Sequence, residues 1–99
     1  RRPMTEKEIL SAALETFGAE AQTLMVMEEM AELTKELCKH ARGKDNTDAI
    51  AEEMADVYIM LSQMELLHDV EDRVIWWYNA KLARLEERLR NAKEDNDNG

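Results

Sequence analysis

A chain of 99 residues with 22 acidic and 13 basic side chains carries a formal charge of -9, which opposes binding to a nucleic-acid polymer, because phosphate contacts are made by clustered Lys and Arg. With 44% hydrophobic and 35% charged residues, 3 Gly and 1 Pro, the composition suits a single all-α domain of long helices rather than a sandwich or barrel. A lone cysteine, Cys38, precludes an intrachain disulfide and fits a reducing compartment. No apolar run approaches the ~18 residues of a membrane span and no signal-peptide pattern is present, so a cytoplasmic protein is expected.

The expected order of elements begins after Arg1-Arg2-Pro3, read as a remnant of an expression vector, with Met4 as the natural start and residues 5–92 as the domain. Thr5-x-x-Glu8 is a capping box opening a first helix through Ile9, Leu10, Ala13, Leu14 and Phe17, whose spacing makes one apolar face. Gly18 breaks or bends it. A second helix spans about Ala19 to Arg42 and stops at Gly43, a residue suited to the left-handed position after a helix. After the loop Lys44-Asp45-Asn46, either Asn46 or Thr47 caps a third helix to about His68, with Ile50, Met54, Val57, Leu61 and Met64 as its stripe. Asp69 is expected to cap a fourth helix, with Glu71 and Asp72 in its first turn, where carboxylates favour the dipole. Its Tyr78, Leu82, Leu85 and Leu89 have heptad spacing, which predicts packing along a partner helix. Residues 93–99, KEDNDNG, lack any apolar side chain and are expected to be a disordered acidic tail. The architecture these elements predict is a four-helix antiparallel bundle-like protomer completed by oligomerisation.

Two carboxylate pairs stand out. Glu29-x-x-Glu32 lies on the second helix and Glu53-x-x-Asp56 on the third, and residues three apart share a helix face. Glutamate on a helix is ordinarily a solvated residue, since it is a good helix former. At about 100° per residue, however, Glu53 falls inside the apolar sector, between Ile50 and Val57 on one side and Met60 on the other, whereas Glu52 points away as plain surface. Asp56 lies at the sector's edge, and Glu29 is bracketed by Met25 and Leu33. A buried, unpaired carboxylate costs several kcal/mol or stays protonated, so the fold must supply a cation or hydrogen bonds. Lys35 and Lys39 reach only the Glu28 side of the stripe. Mg2+, a hard cation that prefers oxygen ligands and retains waters, suits such carboxylates, with Mn2+ as a substitute. Zinc and di-iron are disfavoured, because Cys38, His40 and His68 lack the ligand spacing. His40 is read as a surface partner of Glu36, His68 as a helix-end residue, and the methionines as core.

The pattern Glu28-Glu29-x-x-Glu32, 20 intervening residues, then Glu53-x-x-Asp56 resembles the EExxE and ExxD motif of the MazG-like nucleoside triphosphate pyrophosphohydrolases, an all-α superfamily. The likeness extends over roughly Phe17 to Leu89. Asn79-x-Lys81-x-x-Arg84 is similar to the run that follows the acidic helices in that family, and Gly18-Ala-Glu-Ala-Gln22 to the segment entering the first of them.

That resemblance implies Glu29, Glu32, Glu53 and Asp56 as metal ligands and Glu28 as the residue that orients or deprotonates the attacking water. It implies Lys81 and Arg84 at the phosphates and Gln22 and Asn79 at the nucleotide, while Trp77 enters as an aromatic candidate for the base and a homodimer or homotetramer is expected from the heptad-spaced fourth helix. The reaction implied is Mg2+-dependent hydrolysis of an NTP or dNTP to the monophosphate and pyrophosphate, the metal neutralising phosphate charge and acidifying a bound water. Within Trp76, Trp77 and Tyr78 an indole could stack on a base, although a helical aromatic stripe more often serves core or interface. Lys81 has a plain reading too, its stem covering apolar surface with the amine in water. Two alternatives stand beside the leading one: phosphoribosyl-ATP pyrophosphohydrolase, which uses similar acidic motifs, and a non-enzymatic helical interaction module with solvated acidic stripes.

Overall fold

The computed structural model describes residues 2–98, and among these the chain is all-α: α1 (Glu6–Phe17), α2 (Ala19–Ala41), α3 (Thr47–His68) and α4 (Glu71–Asn98). Arg1, Gly99 and the side chain of Asn98 lie outside the described residues, and with them the ends of the expected remnant and tail.

Each helix end has a local cause. At α1 the Thr5 side chain accepts from the Glu8 amide at 3.1 Å while the Glu8 carboxylate accepts from the Thr5 amide at 3.1 Å, so the capping box forms as expected. Arg2 lies against Glu8 at 2.8 Å, and these partners together hold the Glu8 carboxyl down at about 2. Gly18 closes α1 and opens α2 in a single residue, at φ 91 and ψ 149, a conformation that side-chain-bearing residues avoid. Gly43, at φ 96, turns the chain out of α2.

Three expectations are corrected. Asn46 holds the N-cap position of α3, yet its side chain makes no cap bond there. Instead its Nδ2 donates to the Glu36 carbonyl at 2.9 Å and to Glu36 Oε2 at 2.7 Å, tying the hairpin shut. Asp69 ends α3 in the left-handed region, at φ 52 and ψ 51, which a short polar side chain tolerates. The Val70 carbonyl accepts the first bond of α4, from the Val74 amide at 2.9 Å. Finally, α4 continues to Asn98 where a disordered tail was expected from Lys93. No Gly or Pro interrupts residues 93–98, and Lys93 and Glu94 are good helix formers.

Residues 1–69 make one compact unit. In it α2 and α3 run antiparallel, with Thr23 reaching Met64 Sδ at one end (3.9 Å) and Glu36 held by Asn46 at the other (2.7 Å), while α1 packs against both. Its most buried apolar residues are Leu10, Val26 and Met60. The inner face of α3 is therefore rotated from the expected stripe: Met60 and Gln63 are buried, whereas Met54 and Leu61 are exposed. Met27 and Met30 are exposed as well, which corrects their reading as core.

The second compact unit begins at Val70 and contains α4. Tyr78, Leu82, Leu85 and Leu89 keep the heptad spacing and are each about half exposed or more. Among the described residues no helix is long and apolar enough to cross a membrane.

Candidate metal centre

The antiparallel pairing of α2 with α3 brings the middle of one helix against the first half of the other, and so sets Glu29 opposite Glu53 and Asp56. The three carboxylates each offer an oxygen within 4.8 Å of the others. All three residues are half-buried. Glu53 Oε2 is buried with no hydrogen-bond donor reaching it among the described residues. Partial burial, with the negative charges of Asp56 and Glu53 added to it, pushes the Glu29 carboxyl up from its ordinary value.

Three acids with oxygens within 4.8 Å of one another, one of those acids with an orphaned oxygen, fit a cation. The donors are oxygen only and come from two facing helices, which matches a hard divalent ion such as Mg2+ or Mn2+. Cys38 and both histidines, His40 and His68, are exposed and stand outside the group. Nearby, the Asn46 amide, helped by Lys39 at 3.3 Å, holds Glu36 below the usual carboxylate range. Glu36 is thereby engaged as a latch. Its partners are Asn46 and Lys39, and the expected pairing with His40 is not among its contacts.

The other sequence-derived residues fall into two sets. Glu28 and Glu32 are exposed on α2, Glu28 beside Glu29 in sequence and Glu32 one turn along, and neither belongs to the group of three. Gln22, at the start of α2, is buried. Trp77, Asn79, Lys81 and Arg84 are exposed on α4. There Trp76 and Trp77 meet edge to face at 4.8 Å, and Lys81 Nζ lies 6.0 Å from the Trp77 ring centre, at the limit of a cation–π contact. Val70, Arg73, Val74, Trp77, Tyr78 and Lys81 line a shallow groove along this helix.

Gln63 and the Asn46 bond to Glu36 escaped the sequence reading. Gln63 is the least exposed of the buried residues, at 4%, and its Oε1 meets no donor among the described residues. Its Nε2 has only the weak acceptor Met60 Sδ at 3.9 Å. A signal existed, because Gln63 lies seven residues after Asp56 and so shares its face, among Met60, Met64 and Leu67. The Asn46 latch carried no comparable signal, since its partner includes a backbone carbonyl. Compared with known proteins, the chain matches no family model, no curated protein and no solved structure.

Proposed function

We propose that this protein is a divalent-metal-dependent nucleotide pyrophosphohydrolase of the MazG-like kind, cleaving an NTP or dNTP to the monophosphate and pyrophosphate. The observation that carries this reading is the buried, unpartnered Glu53 oxygen within the Glu29, Glu53 and Asp56 group. Supporting it is the EExxE and ExxD spacing, of which Glu29 from the first half lies with Glu53 and Asp56 from the second.

Glu29, Glu53 and Asp56 would hold Mg2+, and Glu32, exposed on α2, is the fourth carboxylate of the motif. Bound there, the ion supplies charge neutralisation at the phosphates and acidification of water. Glu28, exposed next to Glu29, accepts a proton from the water that attacks phosphorus, and the bond to the pyrophosphate oxygen breaks as the new one forms. The homo-oligomer, the cytoplasmic setting and a nucleotide contact of Gln22 belong to the same proposal.

A panel of common and modified nucleoside triphosphates with Mg2+, assayed for pyrophosphate, tests it. Expected is release with the wild type, and loss of release with Glu53→Gln and with Asp56→Asn while helical content is retained. Full activity in both variants, or no release from any triphosphate with the wild type, would sink the proposal. The interaction-module alternative draws on the half-exposed Leu82, Leu85 and Leu89, and it requires metal affinity to be indifferent to Glu53→Gln.

A further inference from the structure

Side chains on α4 sort into three strips along the helix. At about 100° per residue, Ile75, Tyr78, Leu82, Leu85 and Leu89 make an apolar strip, spaced alternately three and four residues apart, and each is 47% or more exposed. Arg73, Lys81, Arg84 and Arg88 lie along one side of it, with no acid before Asp95; Asp72, Glu86, Glu87 and Glu94 lie along the other, interrupted by Arg90 and Lys93. These charged residues are all exposed, and Glu86 meets Arg90 of its own helix at 3.4 Å. One flank is positive and the other negative.

An apolar strip that repeats every 3.5 residues matches a helix carrying the same repeat, because the two then wind about a common seam. A second copy of α4 is such a helix. Covering the five side chains on two copies takes on the order of 1,000 Å² from water, about the least that a specific interface uses. Such a pair forms reversibly.

Direction follows from the flanks. In a parallel pair each flank faces the opposite flank of the partner helix, whereas in an antiparallel pair each flank faces its own kind. Parallel pairing therefore sets Lys81 beside Glu86 of the second copy on both sides of the seam, and its like-charge contact, Arg88 with Lys93, falls toward the end of the helix. Antiparallel pairing sets Lys81 against Arg88 in the middle of the seam, with Arg84 alongside, and gains Asp72 against Lys93 only at the ends. The middle decides, because helix ends fray.

We infer that α4 pairs in parallel with the α4 of a second copy, through a seam of Ile75, Tyr78, Leu82, Leu85 and Leu89, with Lys81 and Glu86 fixing its direction. The pairing specifies the homo-oligomer of the proposed function and is independent of the hydrolase chemistry, since no residue of the metal centre enters its test.

Sedimentation equilibrium of the full chain supplies that test. The wild type should give a dimer that dissociates on dilution. Lys81→Glu should weaken it about fivefold, because two exposed attractions become repulsions, and adding Glu86→Lys should restore the wild-type constant to within about twofold. A tighter dimer with Lys81→Glu would overturn the inference in favour of antiparallel pairing, and an unchanged dimer in both variants, or a wild type monomeric at every concentration, would overturn it outright. Disulfide cross-linking reads the direction a second way, with Cys38, which is exposed, replaced by Ser. Tyr78→Cys and Leu89→Cys should each oxidise to a dimer with itself, faster than Ala83→Cys, which stands off the seam. Cross-linking only when the Tyr78→Cys and Leu89→Cys chains are mixed, or no faster than Ala83→Cys, would contradict the parallel seam.

Discussion

Glu29 and Asn46 show how single residues set the state of the site. The folded-state pKa of Glu29 lies above its ordinary value because of partial burial and the charges of Asp56 and Glu53. In metal-free protein the cost of charging Glu29 is therefore fully present above the folded pKa and is relieved as pH falls through it. Glu29→Gln should accordingly raise the melting temperature in EDTA at neutral pH, and the gain should shrink in acid; thermal melts at both pH values check this. An equal gain at both would remove the carboxyl repulsion from the explanation. Asn46 acts at the other end of the hairpin, where its amide serves the Glu36 carbonyl and carboxylate together. Asn46→Ala leaves both acceptors short of a donor and should cost about 1–3 kcal/mol in urea unfolding. Because the latch sets the pairing of α2 with α3, Mg2+ affinity should fall with it.

At the scale of elements, the chain turns from α1 into α2 at one glycine. A Cβ on Gly18 would meet nothing within 4 Å, so space is not the constraint. Its φ of 91 with ψ 149 belongs to a region open essentially to glycine alone, where a substituted residue costs about 1–3 kcal/mol. Gly18→Ala should destabilise by that amount in chemical denaturation, whereas a loss under about 0.5 kcal/mol would mean that the corner relaxes. Gly18 was readable as a breaker from sequence, as were the Thr5 and Glu8 capping box and the Gly43 stop, because each depends on side-chain chemistry within one turn. Asp69 was not: an Asp ahead of acidic first-turn residues satisfies the N-cap pattern, and its left-handed closure of α3 depends on where the chain goes next. The rotated face of α3 had the same origin, for Leu61 and Met60 differ little in hydrophobicity and only packing against α1 and α2 selects between them. Glu53 was readable, because a charge in an apolar sector is visible on any helical wheel, and Gln63 would have followed had uncharged amides been treated alike.

The whole molecule keeps few apolar side chains buried for its size. Among the described residues Leu10, Val26 and Met60 are the buried hydrophobic ones, while Leu24, Met27, Tyr58 and Ile59 in the first unit and Ile75, Leu82, Leu85 and Leu89 in the second are exposed to 47% or more. The heptad-spaced leucines exposed along α4 suit pairing with the same helix of a second copy. Sedimentation of the full chain is expected to give a dimer or larger species, with Leu82→Lys and Leu85→Lys together shifting it toward monomer. A chain that sediments as a folded monomer at all concentrations would remove the oligomer from the proposal.

The central claim is that Glu29, Glu53 and Asp56 form one divalent-cation site, and Mn2+ binding followed by electron paramagnetic resonance, with competition by Mg2+, tests it most directly. The wild type should hold Mn2+ that Mg2+ displaces, and Glu53→Gln should weaken binding by about tenfold or more, at least the loss seen when a metal site's supporting groups are removed. Equal Mn2+ affinity in wild type and Glu53→Gln would contradict it, for the buried oxygen of Glu53 would then have no part in holding a metal.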